Sequence, residues 1–550
     1  RRRRRPGDAK QPDLLGVLHV TPSAEQPPVT PCLAFSADSL RWSKLNWFVL
    51  ALASLFPVWC GVGQGFNLND DAYITLTYAK NLAAGRGFVF NHPPATFGTT
   101  TPLLALVVAA LGALLRGVSV EAVAVWVTVL AWIAAGWSFY GFRRAWGLSD
   151  ESALLVALAV LFGGWSGPMG VLGSEVFLFH ALLVLTFSLH LAGYGVASGV
   201  AAGLLFLTRG EGVLALGVIG LSAGAQWLVT PLGEADASGG APKPAWRQVV
   251  TTLASSLLRP VVGFGIVVGL WAVYAYGTFG HVLPATLSAK RIQVALGWPT
   301  FTHELATKWW RNWGGPALGH PLLSVWWALV AVGISAAIWS RRRWLVFLLW
   351  LIGYVGGYAA LGVAGYWWYQ TPVFLSLHLF FALGLVAVVE RLAVWRNGQL
   401  HLIGRAVTVC GLACAMWPAA KAVTTYHGDW RASSYRALAA WFQAHAHPTD
   451  RVAFHEVGYL GFYSEQRIVD LCGLTTPEVL PHFARRDLTW PLRTLLPEWY
   501  VASPTWDILP ALREGGWLDQ HYHQVATLPA PGGGDLRVFQ RIRRDANVTP

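Results

Sequence analysis

Charge is scarce in this chain: only 12% of its 550 residues are Asp, Glu, Lys or Arg, against 54% hydrophobic. A soluble globular domain carries about 25% charged residues, so much of this chain belongs in lipid. The mean hydropathy of +0.45 says the same. Cysteine is scarce as well. Five scattered Cys exclude a disulfide framework, and Cys410 and Cys414, in one apolar stretch, read as small buried residues. There is no Walker A or dinucleotide fingerprint, which argues against ATP- or NAD-driven chemistry. No apolar core falls within the first thirty residues, so they are not read as a secretory signal peptide. Cys60 follows Pro57-Val58-Trp59, which lacks the small residues of a lipoprotein cleavage site, and reads as ordinary helix. His445/His447 and His521/His523 are spaced like metal pairs, but neither has a third ligand at suitable spacing, so no metal site is expected there.

What the chain has instead is a series of apolar runs, at 45–62, 102–116, 119–140, 151–164, 175–194, 196–208, 212–230, 258–278, 321–340, 344–363, 371–389 and 403–420. A span needs about 20 residues, so these give about 11 or 12 transmembrane helices. Thirty Trp fit interfacial anchoring. The net charge of +12 sits in short interhelical loops, the positive-inside pattern rather than a nucleic-acid footprint. Lys243, Arg247 and Arg259, then Arg341 to Arg343, then Arg391, Arg396 and Arg405 mark cytoplasmic loops. Loops 279–320 and 364–370 and everything after about residue 421 then face the outside. Arg41 and Lys44 put the N-terminus inside. The first half closes only if one of 102–116, 151–164 and 196–208 is a half-helix or merges with a neighbour.

Residues 1–44, Arg-rich and then Pro-rich, read as a disordered cytoplasmic tail; 45–420 is the membrane domain, with a first outer loop at 63–101. Composition changes at 421–550, where a helix at 430–447 and strands near 451–456 and 535–541 alternate. This reads as a soluble α/β or α+β domain with its own core.

The candidate chemistry begins with Asn69-Asp70-Asp71-Ala72-Tyr73, just past the first apolar run. Burying two carboxylates at a membrane surface costs several kcal/mol unless they are solvated or paired. The ordinary alternative is that one of them caps the helix expected over 72–84, whose Ile74, Tyr78 and Leu82 would lie on the membrane with Gly85 as C-cap. Glu175 opens an apolar helix, where it would also suit the N-terminal dipole. Arg209, in a near-apolar stretch, needs a partner, and Glu211 is two residues away. Lys290 and Arg291 end a polar loop that also carries His281. Tyr366-Trp367-Trp368-Tyr369-Gln370 reads as an aromatic belt, with Tyr369 or Gln370 as alternative ligand contacts.

The run from Asp70 through Ala72, Tyr73 and Gly85-Arg-Gly to Asn91 resembles the first outer loop of GT-C glycosyltransferases that use polyprenyl-phosphate sugars, above all the mycobacterial terminal arabinofuranosyltransferase family. Gly173-Ser-Glu175 stands where relatives have Gly-Met-Glu, and Leu207-Thr-Arg-Gly-Glu-Gly212 for Thr-Arg-Pro-Glu-Gly. Tyr276-Gly-Thr-Phe-Gly-His-Val-Leu-Pro-Ala-Thr-Leu-Ser-Ala-Lys290 resembles their Tyr-Tyr-Gly…Leu-Pro-Asn-Thr…Ala-Lys loop, and Val457-Gly-Tyr-Leu-Gly-Phe-Tyr-Ser464 with Val469-Asp-Leu-Cys-Gly-Leu474 their Gly-Tyr-Tyr-Ser…Ile-Asp…Gly-Leu segment. Ser174, Gly210 and Ala285 are departures; none removes an ionisable group, and Ala285 bears on sugar specificity.

The resemblance implies an α-helical polytopic GT-C membrane protein of a bacterial plasma membrane, with a periplasmic C-terminal domain. Its partners would be a polyprenyl-phosphate-linked sugar donor, a glycan or lipid acceptor, and membrane lipid, with no nucleic acid and no cofactor; a metal requirement is left open. Inverting transfer needs a carboxylate to take the acceptor's proton, which points to Asp70 and Asp71. Cations stabilise the departing phosphate, which points to Lys290, Arg291 and, less directly, His281. Glu175, Tyr369, Gln370 and Tyr73 are expected to line the site. The Arg209–Glu211 pair is not assigned to the phosphate, because the topology leaves its side of the membrane open. A secondary transporter or a non-catalytic assembly factor on the same scaffold is the alternative.

Overall fold

The structure of the chain, a computed structural model, describes residues 44–66, 68–91, 95–163, 171–229, 245–312, 315–394, 398–426 and 428–542. The basic tail before residue 44, Lys243 and Arg396 lie outside them. Among the described residues, seven helices are long and apolar enough to cross a membrane by length and composition: Leu45–Gln64, Val120–Gly141, Ser256–Phe279, Pro321–Trp339, Arg342–Leu361, Trp367–Leu392 and Ala406–Thr425. Four shorter apolar helices accompany them. The three doubtful segments of the first half form helices of 13, 13 and 14 residues, Pro102–Leu114, Asp150–Phe162 and Gly195–Thr208. At 1.5 Å per residue each is about 20 Å long, short of a hydrocarbon core of about 30 Å. All three are short, not one.

Helix Val176–Leu191 turns back at Gly193, in the left-handed region at φ 84°, into Gly195–Thr208. That helix then breaks at Arg209, whose backbone is extended, before a single 3₁₀ turn at Gly210–Gly212 and the helix Val213–Val229. The break follows from composition. Gly210 and Gly212 carry the lowest helix propensity short of Pro, and a Cβ on Gly212 would fall 2.4 Å from the Phe206 nitrogen. An interrupted helix leaves backbone and charged side chains free to face the protein interior.

Among the described residues the C-terminal part carries five strands: β1 (Arg451–Phe454), β2 (Arg467–Asp470), β3 (Trp499–Ala502), β4 (Tyr522–Pro529) and β5 (Asp535–Arg541), in sheet order β2-β1-β3-β5-β4. The first three pair in parallel and the last two antiparallel. Side chains alternate across the sheet. Ala453, Tyr500 and Phe539 pack with Leu492, Leu512 and Leu518 on one face. On the other, Val452, Phe454 and Val538 join Tyr435 and Phe442 in a core that runs on into the loop and membrane helices, through Tyr73, Leu104 and Trp132. Only one face of the sheet therefore has a private core; the other is shared with the membrane domain.

Two sequence expectations change here. Helix Asp70–Ala83 does not lie on the membrane with one apolar stripe. Every residue from Ala72 to Ala79 is buried, because the sheet-bearing C-terminal part packs over this helix. Cys410 is exposed and Cys414 only half-buried, since helix Gly398–Thr425 lies at the rim of the bundle.

Helices Gly315–Trp339 and Thr371–Val394 cross in backbone contact. A Cβ on Gly333 would meet the Phe380 carbonyl oxygen at 1.8 Å, and one on Gly384 the Leu329 oxygen at 2.0 Å. Without a hydrophobic drive in lipid, such small-residue crossings supply the packing. Gly384→Val is expected to destabilise the protein by about 1–3 kcal/mol. It would show as a lowered Tm in detergent, whereas Gly353→Val, with nothing near its added carbon, leaves Tm in place.

Candidate active site

Asn69 caps the loop helix: its backbone is extended, and its Oδ1 accepts the Ala72 N–H at 2.8 Å. Neither aspartate is the cap. Asp70 and Asp71 instead occupy the first turn, where the dipole favours negative charge, and at 100° per residue they point in different directions.

Asp70 faces the soluble domain and is 4% exposed. Its Oδ2 accepts the Gly458 N–H at 3.0 Å and its Oδ1 the Tyr459 N–H at 2.9 Å, at the start of the short helix Gly458–Tyr463. The approach is so close that a Cβ on Gly458 would stand 1.8 Å from the Asp70 carbonyl oxygen, so only Gly fits. Tyr459 donates to the Leu68 carbonyl at 2.5 Å, Lys80 to that of Phe462 at 2.6 Å, and Asn91 pairs with both backbone groups of Ile468, on edge strand β2. Burial pushes the Asp70 carboxyl up to about 6, against the Arg431 charge and the two backbone N–H groups.

Asp71 points the other way. Solvent reaches its side chain, yet protein surrounds it closely enough that burial raises its carboxyl. Lys290 and Arg431 oppose that rise, and Glu175 and Asp429 add to it. Arg431 comes from the soluble domain. It donates to Asp429 at 2.8 Å and to Glu456 at 2.6 Å, and burial beside Asp70 and Asp71 pushes the Glu456 carboxyl up to about 8.

On the membrane side the helix break presents Arg209, 3% exposed. Its Nη2 donates to Glu211 at 2.8 Å and to the Tyr354 and Tyr358 hydroxyls at 3.2 and 3.1 Å; Tyr358 also donates to Glu211. Its Nη1 is buried with no hydrogen-bond partner, and its nearest carboxylate is Glu175 at 3.6 Å. The Tyr369 ring carries a cation on each count: the Arg209 guanidinium 4.9 Å from its centroid and the Lys290 ammonium 4.6 Å. Lys290 is half-buried. Burial lowers its ammonium, which the Asp71, Glu211 and Glu175 carboxylates oppose. Asp71, Glu175, Arg209, Glu211, Lys290 and Tyr369 thus share one cleft. Arg209 and Glu211, which the sequence left unassigned, stand beside Lys290.

Arg291, His281 and Tyr73 lie elsewhere. Arg291 is exposed, one helix step from Lys290, and reaches the Leu361 carbonyl at 3.4 Å. His281 is exposed and contacts the Leu283 carbonyl at 2.8 Å and the Phe97 ring. Tyr73 is wholly buried in the seam between loop and soluble domain, at 3.0 Å from the Tyr463 hydroxyl, and does not line the cleft. Tyr369 and Gln370 are buried in a 3₁₀ turn rather than set in an aromatic belt. Sequence reading missed Arg431, Glu456, Tyr354 and Tyr358 because the stretches that carry them are ordinary by themselves; Arg209 alone signalled its need for a partner. Among the described residues no group of three or more His, Cys, Asp or Glu could hold a metal ion.

A family model described as a domain of unknown function (DUF8728) matches residues 424–548, the sheet-bearing part. No curated protein sequence matches the chain. The fold is similar to that of ArnT from Cupriavidus metallidurans. The crystal structure of that protein bound to undecaprenyl phosphate matches with a TM-score of 0.55 at 14% identity, over 90% of this chain and 98% of that one. Its apo structure matches over the same shares with a TM-score of 0.53, also at 14% identity. The architecture is therefore the multi-pass GT-C fold with a small sheet-containing C-terminal domain.

Because the Asp70 carboxyl sits near 6 in the folded protein and at 3.8 ordinarily, the native state holds this proton more tightly than the unfolded chain. The stabilisation is fully present below 3.8 and is lost as pH rises through 6. Asp470, also pushed to about 6 by burial, and Glu456 act in the same direction. Denaturation midpoints are expected to fall between about pH 4 and pH 7, and more steeply in wild type than in Asp70→Asn, which cannot titrate there.

Proposed function

We propose that this chain is a membrane glycosyltransferase that moves a sugar from a polyprenyl-phosphate donor to a glycan or lipid acceptor at the outer face of a bacterial plasma membrane. The observation that carries this reading is the cleft itself. One carboxylate open to solvent, Asp71, lies in the field of Lys290 and Arg431; Lys290 shares the Tyr369 ring with Arg209, one nitrogen of which is buried without a hydrogen-bond acceptor. A phosphate oxygen would supply that acceptor and lower the penalty of an unsatisfied buried donor. Likeness of fold to a protein crystallised with undecaprenyl phosphate supports a lipid-linked donor, and the sequence resemblance points the sugar toward a pentofuranose such as arabinofuranose.

In this mechanism Asp71 takes the proton of the acceptor hydroxyl as its oxygen attacks the anomeric carbon. The bond from that carbon to the phosphate oxygen breaks, the configuration inverts, and polyprenyl phosphate leaves with its charge held by Lys290 and Arg209. Burial raises the Asp71 carboxyl, which makes it a better base, and Lys290 and Arg431 oppose that rise. Asp70, with both oxygens engaged by backbone N–H groups, acts as a positioning residue that ties the loop helix to the soluble domain. Glu175 and Glu211 hold Arg209 in place.

The test is transfer of radiolabelled sugar in membranes supplied with polyprenyl-phosphate donors. Asp71→Asn is expected to lower kcat by about 10²-fold or more at unchanged expression. Lys290→Ala is expected to raise the donor KM about tenfold, as loss of a charge-assisted contact does. Transfer by Asp71→Asn at the wild-type rate would remove Asp71 as the base.

A further inference from the structure

A small polar cleft, of about 60 Å³, opens where the first outer loop meets the edge of the sheet; neither Asp71 nor Lys290 lines it. The loop contributes Asn91 and Thr96; the soluble domain contributes Arg467, Thr475, Thr476 and Glu478. The cleft is built, because Asn91 closes the sheet edge by accepting the Ile468 N–H at 3.0 Å and donating to its carbonyl at 2.8 Å. Asp470 sets the adjoining turn by accepting the Cys472 and Thr475 N–H groups, each at 2.8 Å.

Its polar groups are unevenly used. Arg451, at the back, is neutralised by Glu498 at 3.0 Å and donates to the Leu495 and Leu496 carbonyls at 2.9 and 3.0 Å. Arg467 and Glu478 have no ion-pair or side-chain hydrogen-bond partner among the described residues. The Thr96 hydroxyl is buried with no partner, although its residue is only half-buried, and the Thr476 hydroxyl accepts the Asp470 N–H while its own proton stays available. The cleft thus offers one free cation, one free carboxylate and several hydroxyls. A hydroxyl ligand, donor and acceptor at once, satisfies both charges; a bare anion would meet Glu478 unfavourably. Thr96 is joined to the loop helix through its carbonyl, which accepts the Tyr78 hydroxyl at 2.7 Å. Tyr78 is about 10 Å along that helix from Asp71.

We propose that this cleft is a carbohydrate subsite that holds one sugar unit of the acceptor while another presents its hydroxyl to Asp71. The assignment rests on the glycosyltransferase reading for the identity of the bound saccharide, but its test needs no turnover. Purified full-length protein in detergent is titrated with neutral arabino-, manno- and gluco-oligosaccharides, and separately with inorganic phosphate, with binding followed by saturation-transfer NMR. Wild type and Asp71→Asn are expected to bind an oligosaccharide equally. Arg467→Ala and Glu478→Ala are each expected to weaken that binding about tenfold, as loss of a hydrogen bond to a charged group does, with Tm unchanged. Binding of none of the oligosaccharides, equal binding by the Arg467 and Glu478 variants, or capture of phosphate alone would overturn the subsite. Loss of sugar transfer with this binding intact would count against the proposed reaction and leave the subsite standing.

Discussion

The rest of the structure depends on one carboxylate bound to two backbone N–H groups. Asp70 reaches from the loop helix into the start of helix Gly458–Tyr463 and takes both of its first free donors, at 3.0 and 2.9 Å. A charged acceptor on two N–H groups is about twice as strong as a neutral one, and here water is largely excluded. The contact exists because residue 458 is Gly: any side chain would separate the two segments. Around it the loop helix, the sheet and the membrane helices close into one hydrophobic core, so the sheet-bearing C-terminal part is a wall of the cleft rather than a tethered bead.

That docking decides the electrostatics. It brings Arg431 and Glu456 of the soluble domain within reach of Asp71, and it turns the first of two adjacent aspartates into structure while the second stays open to solvent. From the membrane side the helix break at Arg209 sends in a second charged group. There Glu175, Glu211, two tyrosine hydroxyls and the Tyr369 ring hold the guanidinium without satisfying all of its donors. A buried cation left partly unsatisfied has a standing preference for an anionic ligand, and a nearby Lys290 strengthens it. The cleft is assembled from at least six stretches of chain, none of which holds a complete site.

Much of this was legible in the sequence, and the limits of legibility have physical causes. Long apolar runs marked the membrane helices, since burial in lipid depends mainly on local composition. The helix after Asp70, with Gly85 beyond its end, was readable from periodicity and turn chemistry. Lys290 was found as a cation at the end of a polar loop. What failed were judgements about neighbours. Tyr73 looks like a cleft residue beside the Asp pair but turns into the seam. Arg291 looks equivalent to Lys290, yet one helix step carries it to the surface. Tyr369, in an aromatic cluster typical of a membrane interface, stands between two cations.

By itself the sequence determined that this is a multi-pass membrane protein with a mixed C-terminal domain, and that an aspartate pair, an isolated arginine and a loop lysine are its notable charges. Hydropathy, periodicity and turn residues act over a few positions, so a linear reading captures them. The tertiary structure alone decided which aspartate is engaged and which is open, and that Arg209 and Lys290 share the Tyr369 ring. It also decided that the sheet domain supplies Arg431 to the same cleft. Those outcomes depend on where distant segments come to rest. Charge, burial and hydrogen-bond satisfaction are properties of that arrangement, not of any one stretch of chain.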